Sequence, residues 1–172
     1  MALFPISFIF WRNKLHATKE SLKIALVDLG FFTKGFKNDA KTTLKLIFTM
    51  FVASMIISVM LYTAGLNDLA KVDLVIAQFG IYSLLYLTIV RATAEEIFFR
   101  GFLVKQVGVI ASTVFFAVLH LGYGSITEVI GALYLGFILA YVFSKNKSIF
   151  PNIFAHVFFN ILSVFILPAI LY

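Results

Sequence analysis

The run LKLIFTMFVASMIISVMLYTAGL (residues 44–66) carries a single charged residue, Lys45, in 23 positions. About 20 apolar residues in a helix match the roughly 30 Å hydrocarbon core of a bilayer. Lipid offers the backbone no hydrogen-bond partner, so such a run must satisfy its own amides as a helix. Further apolar stretches follow: Leu74 to about Gln106, then VIASTVFFAVLHL (109–121), ITEVIGALYLGFILAYVF (126–143) and IFPNIFAHVFFNILSVFILPAILY (149–172). With 62% hydrophobic and 13% charged residues, an ordinary soluble domain is excluded. The predicted fold is all-α: a polytopic transmembrane helical bundle of about five spans, preceded by an amphipathic basic segment. No repeat or linker divides it. Residues 1–45 are read as an apolar and basic interfacial segment, and 46–172 as the transmembrane helical domain.

Charge placement orients the chain. Residues 12–45 hold Arg12, Lys14, Lys19, Lys23, Lys34, Lys37, Lys41 and Lys45 against Glu20, Asp28 and Asp39. A basic stretch beside a span reads as cytoplasmic and in contact with anionic head groups. The implied setting is a multi-pass protein of the cell membrane with lipids as partners. Without a basic folded domain or motif, nucleic acid is not an expected partner. Lys105, Lys145 and Lys147 on that same side give five consistent crossings, with Lys71 outside. Residues 12–42 alternate apolar pairs with lysine, as an interfacial helix does. Residues 1–11 are too few to span and lack a basic leader, so they are expected to lie in the membrane rather than to be removed. The absence of cysteine excludes disulfides, thiolate metal sites and a thiol nucleophile. Residues 74–106 as one straight helix would measure about 50 Å, so they must tilt, break near VRAT or leave the bilayer.

Inside that stretch stands RATAEEIFFRGFL (91–103), with Arg91, Glu95, Glu96 and Arg100 where charge is expensive. Glu96 and Arg100 are four apart and share a helix face, whereas Glu95 is turned by about 100°. If KQVG (105–108) turns a helical hairpin, Glu95 and His120 lie about twelve residues on either side of it, each roughly 18 Å deep. His156 lies about 13 Å from the Lys147 face, and Asn160 shares its helix face. Two imidazoles, a carboxylate and an amide can thus converge at mid-depth. Structural roles fit each group alone. Arg91 and Arg100 could pair with the two carboxylates, His120 could sit at the interface, and His156 and Asn160 could bond neighbouring helices. Glu128 reads as a first-turn carboxylate favoured by the helix dipole.

The ordered motifs EEIFFR (95–100), FAVLH (116–120) and HVFFN (156–160) resemble those of the CPBP family, over roughly residues 74–172. That family comprises CAAX prenyl endopeptidases and bacterial proteins linked with bacteriocin processing and self-immunity. The resemblance implies an intramembrane glutamic endopeptidase that uses no metal or cofactor. In it Glu95, aided by His120, would activate a water to attack a peptide carbonyl directly. His156 and Asn160 would donate to the oxyanion, a role worth about 3–4 kcal/mol per donor. Glu96 and Arg100 would form a structural ion pair. The implied substrate is a hydrophobic or lipidated peptide, prenylated peptides included.

Other designs fit less well. No His-Glu-x-x-His is present, Asp73 has no second membrane aspartate, and Ser125 lacks a nucleophile elbow. A metal held by Glu95, His120 and His156 is a chemical alternative. So are a non-proteolytic immunity or scaffold protein that binds a peptide, and a transporter.

Overall fold

The computed structural model describes residues 3–13, 18–32 and 34–166, and all regular structure among them is helical. Lys14 and the last six residues of the final apolar stretch lie outside the described residues. The helices are α1 (Leu3–Arg12), α2 (Lys19–Asp28), α3 (Phe36–Thr63) and α4 (Ala70–Ile76). A long helical region, Ile81–Tyr123, breaks at Gly108 into α5 (81–107) and α6 (109–123). Then come α7 (Ile126–Asn146) and α8 (Phe150–Phe165). Ile81–Tyr123, Phe36–Thr63 and Ile126–Asn146 are long and apolar enough to cross a membrane, and α8 is shorter. On α3, Phe48, Val52, Met55, Ile56 and Val59 form an exposed stripe at helical spacing. In lipid such a stripe faces its natural solvent.

The basic segment is not one interfacial helix. A capping box between Thr18 and Ser21 starts α2, and Gly30, at φ 92°, ends its run. A new helix begins at Phe36 and continues unbroken through residue 45, so interface and span share one rod. The amino-terminal part packs on the bundle. Ile9, Ala25 and Leu29 bury themselves against Phe102 of α5, and the Phe8 ring meets the Phe102 ring edge-on at 5.1 Å. A Cβ on Gly101 would come within 2.7 Å of the Leu29 carbonyl oxygen. Only glycine lets α5 pass the end of α2 this closely.

Each end of the bundle is tied by polar contacts. At the basic end, Lys105 donates to the Asp28 carbonyl, and the Ile149 amide donates to the Gly30 carbonyl at 2.9 Å. Lys105, Lys145 and Lys147 therefore share an end with the basic segment. At the other end Asp68 caps α7. Its carboxylate accepts from the Ser125 hydroxyl at 2.6 Å and from the Ile126 and Thr127 amides at 3.0 Å. Chiefly the Ser125 hydroxyl, then the Thr127 amide, hold the Asp68 carboxyl well below the usual carboxylate range. Lys71 adds a salt bridge at 3.1 Å.

The overlong stretch from residue 74 is resolved by a break at residues 77–80, between α4 and α5, ahead of VRAT rather than within it. Around the charged cluster α5 instead widens its hydrogen bonding to π-type turns, over Tyr86–Arg91 and Glu96–Leu103. Wide turns of this kind recur at functional positions. Between α3, α7 and α8, Leu46, Met50, Leu139 and Ala155 form the central packing layer.

Candidate active site

Gly108, at φ 85° and ψ 174°, reverses the chain so that α6 returns along α5. The register of this hairpin is fixed by the Ser112 hydroxyl, which donates to the Phe99 carbonyl at 2.9 Å. Phe99 and Phe116 meet edge-to-face at 5.1 Å. One turn from Phe99, on the side away from Gly108, is Glu95, and one turn beyond Phe116 is His120. Both side chains come to the same level of the hairpin, and both are buried. No hydrogen bond joins them, but Glu95 and Arg91 lie close enough to His120 to act on it electrostatically.

The two carboxylates have separate environments. Glu95 accepts from Arg91 Nε at 2.7 Å. Arg91 in turn donates from Nη1 to the Tyr123 hydroxyl at 3.1 Å, and the Tyr123 ring stacks on His120 at 6.0 Å. A chain of contacts thus leads from Glu95 to His120 by way of Arg91 and Tyr123. The Arg91 side chain is 35% exposed, against 10% for Glu95, so it forms the open edge of this group. Glu128, at the start of α7, lies close enough to Arg91 and Glu95 to interact with both electrostatically.

Glu96 is fully buried at the hub of a second network. Its Oε1 accepts from Arg100 Nη1 at 2.8 Å and from His156 Nδ1 at 2.8 Å. Its Oε2 faces Asn152 Nδ2 at 3.4 Å. Arg100, equally buried, also donates to the Gly136 carbonyl at 3.3 Å, and its guanidinium lies 4.3 Å from the Phe116 ring centroid. A buried ion pair survives only when its remaining donors and acceptors find such partners. Arg100 Nε and Asn152 Oδ1 still have none among the described residues.

The imidazoles can be assigned tautomers from their partners. His120 Nδ1 lies 2.9 Å from the Phe116 carbonyl oxygen, which can only accept, so Nδ1 carries a proton and, in the neutral ring, Nε2 has the lone pair. His156 Nδ1 faces a carboxylate and must also donate. Both rings rest against Phe116, at 4.6 Å for His120 and 6.1 Å for His156. Asn160 sits half-buried one turn beyond His156 and takes no part in the Glu96 network. The hairpin therefore brings Glu95 and His120 to one level, and α8 brings His156 to Glu96. Asn160 shares no hydrogen-bond partner with His156. Among the described residues, no group of three His, Asp or Glu side chains is gathered to hold a metal ion.

Sequence reasoning overlooked Asn152 and Tyr123, and named Phe116 only as the first residue of FAVLH. The two overlooked residues had a visible signal. Asn152, His156 and Asn160 are spaced by four along one stripe of α8, and Tyr123 stands three after His120, on its face.

The described residues form a helical bundle in which Glu96, Arg100, Asn152 and His156 make a buried polar network, with Glu95 and His120 buried beside it. The pattern of the type II CAAX prenyl endopeptidase Rce1-like family matches residues 77–162. That is half of the chain, and the chain belongs to this family. It is a membrane protein of an endopeptidase family. No curated protein and no solved structure matches it significantly.

Proposed function

We propose that the chain is an intramembrane endopeptidase, crossing the cell membrane five times, that cuts a membrane-associated peptide with a water activated by Glu95 and His120. The observation that carries this reading is the level shared by Glu95 and His120 on facing arms of the hairpin. A general base and its helper must address one water from two directions. His120, with Nδ1 committed to Phe116, offers its Nε2 lone pair to that water. Glu95 keeps one carboxylate oxygen beyond its contact with Arg91. The water adds to the peptide carbonyl, its proton passes to the Glu95–His120 pair, and the same proton is returned to the leaving amine. No acyl-enzyme forms.

His156 and Asn160 then serve the developing oxyanion. His156 donates from Nε2 in its doubly protonated form while Glu96 holds its Nδ1–H. Asn160 donates from its amide, which no described residue engages. Glu96 and Arg100 hold α5 in place. Family membership makes a prenylated carboxy-terminal peptide the first substrate to try.

The test is hydrolysis of prenylated and unprenylated hydrophobic peptides by purified protein, beside Glu95→Ala and His120→Ala, with and without chelator. Cleavage that survives chelator and vanishes in both variants is the expected result. A second reading, a non-cleaving peptide-binding protein, is supported by the closed Arg91–Glu95 pair, which occupies the proposed base. No cleavage of any peptide, with binding retained in both variants, would establish that reading instead.

A further inference from the structure

A cavity of about 400 Å³ opens between α3 and α7 at the basic end of the bundle, away from the hairpin. Its lining is graded. Leu46, Ile138 and Val142 make an apolar floor, and Thr42, Thr49 and Asn146 add polar atoms. Lys45 and Lys145 both line it. α3 enters its apolar stretch at Lys45, and α7 leaves its own at Lys145, so the antiparallel helices bring two cations to one membrane level. Neither lysine has a carboxylate partner among the described residues; Lys145 has only the Tyr141 ring, 5.5 Å away.

We infer that this groove is a binding site for one anionic phospholipid, with its phosphate between Lys45 and Lys145 and an acyl chain along Leu46, Ile138 and Val142. Three features of the groove single out this occupant. Two unneutralised cations at the head-group level attract a phosphodiester. An apolar floor continuing toward the bilayer core suits a chain attached to that phosphate. The hydroxyls of Thr42 and Thr49 and the amide of Asn146 match the ester and glycerol oxygens between them. A free phosphate would leave the floor uncovered, and a zwitterionic lipid would bring its own cation beside the lysines. The inference is independent of any hydrolytic activity, because none of these residues belongs to the candidate active site.

The test uses the full chain in nanodiscs of phosphatidylcholine with increasing phosphatidylglycerol, read by thermal unfolding and by crosslinking to a photoactivatable phosphatidylglycerol. Saturable stabilisation by phosphatidylglycerol is expected, with crosslinks on peptides containing Thr42–Thr49 and Tyr141–Asn146. Lys45→Ala with Lys145→Ala should weaken binding about thirtyfold, from about 1 kcal/mol per lysine. The charge-matched pair Lys37→Ala with Lys41→Ala should change it little. Thr49→Trp, which narrows the groove and keeps both charges, guards against misfolding of the double variant and should also abolish crosslinking there. Equal stabilisation by phosphatidylcholine, equal loss in the Lys37/Lys41 control, or crosslinks spread over the whole basic end would overturn the inference. Displacement of the crosslink by a farnesylated peptide but not by phosphatidylglycerol would reassign the groove to substrate.

Discussion

Glu95 and Glu96 are adjacent in the chain yet belong to different networks: Glu95 is 2.7 Å from Arg91 at the open edge of the site, and Glu96 is 2.8 Å from Arg100 in its interior. One step along a helix turns a side chain by about 100°. That rotation is enough to separate the carboxylate proposed as the base from one that ties α5 to α8, and the two are separable by substitution.

Glu95→Gln should leave folding nearly intact and reduce peptide cleavage by about 100-fold or more, the range for loss of a general base. Glu96→Gln should instead destabilise the protein by about 3–5 kcal/mol, because Arg100 is left charged and buried without its partner. Thermal unfolding in detergent beside a cleavage assay distinguishes the two. Equal loss of stability in both variants would contradict the division of labour.

Phe116 touches Arg100, His120, His156 and Phe99. Phe116→Ala should cost about 3–5 kcal/mol from the cavity alone. Phe116→Leu, which retains most of the volume, should fold but lose turnover more than substrate affinity, since both imidazoles lose their common support. Steady-state kinetics on Phe116→Leu checks this, and an unchanged kcat would count against it.

Gly101→Ala should destabilise by about 1–3 kcal/mol. The added methyl meets the backbone oxygen of Leu29 at 2.7 Å, an atom that cannot rotate away. Since the clash lies between α5 and α2, protease should cut the variant first near the end of α2. Gly131→Ala, where a Cβ meets nothing within 4 Å, is the control.

Asp68 sets an acid limit on stability. Its carboxyl titrates below the ordinary value of 3.8 in the folded chain, so it adds stability that is complete above that value and is lost as pH falls through the lower folded value. Asp68→Asn should remove this component, so that stability falls less steeply below about pH 4 than in the parent protein. Unfolding midpoints measured from pH 7 down to the acid limit would test it. Identical slopes in the two proteins would show that Asp68 is not responsible.

Much of the helical layout was legible because it depends on local, periodic quantities. The apolar runs marked the helices, and a fixed rise per residue matched Glu95 to His120 across a turn near KQVG. What escaped reading depended on rotation and on contacts distant in sequence. His156 finds Glu96 sixty positions away, and no spacing rule says how α8 is turned when it packs. Asn152 stands beside Pro151 and reads as helix-start chemistry, although its amide reaches the Leu139 carbonyl at 2.8 Å. The boundary set at residue 45 followed the loss of charge. Helix α3 ignores that change, because helical hydrogen bonding propagates through lysine as readily as through leucine. The break at residues 77–80 was missed for the opposite reason: the apolar run is interrupted there only by Gln78 and Gly80.

The reversal at Gly108 also constrains how such a chain can evolve. One added residue in either arm would move Glu95 or His120 by about 1.5 Å and swing it by about 100°. A matching addition in the other arm would restore the common level but swing that group as well, so the spacing from Glu95 through Gly108 to His120 is held on both sides of the bend.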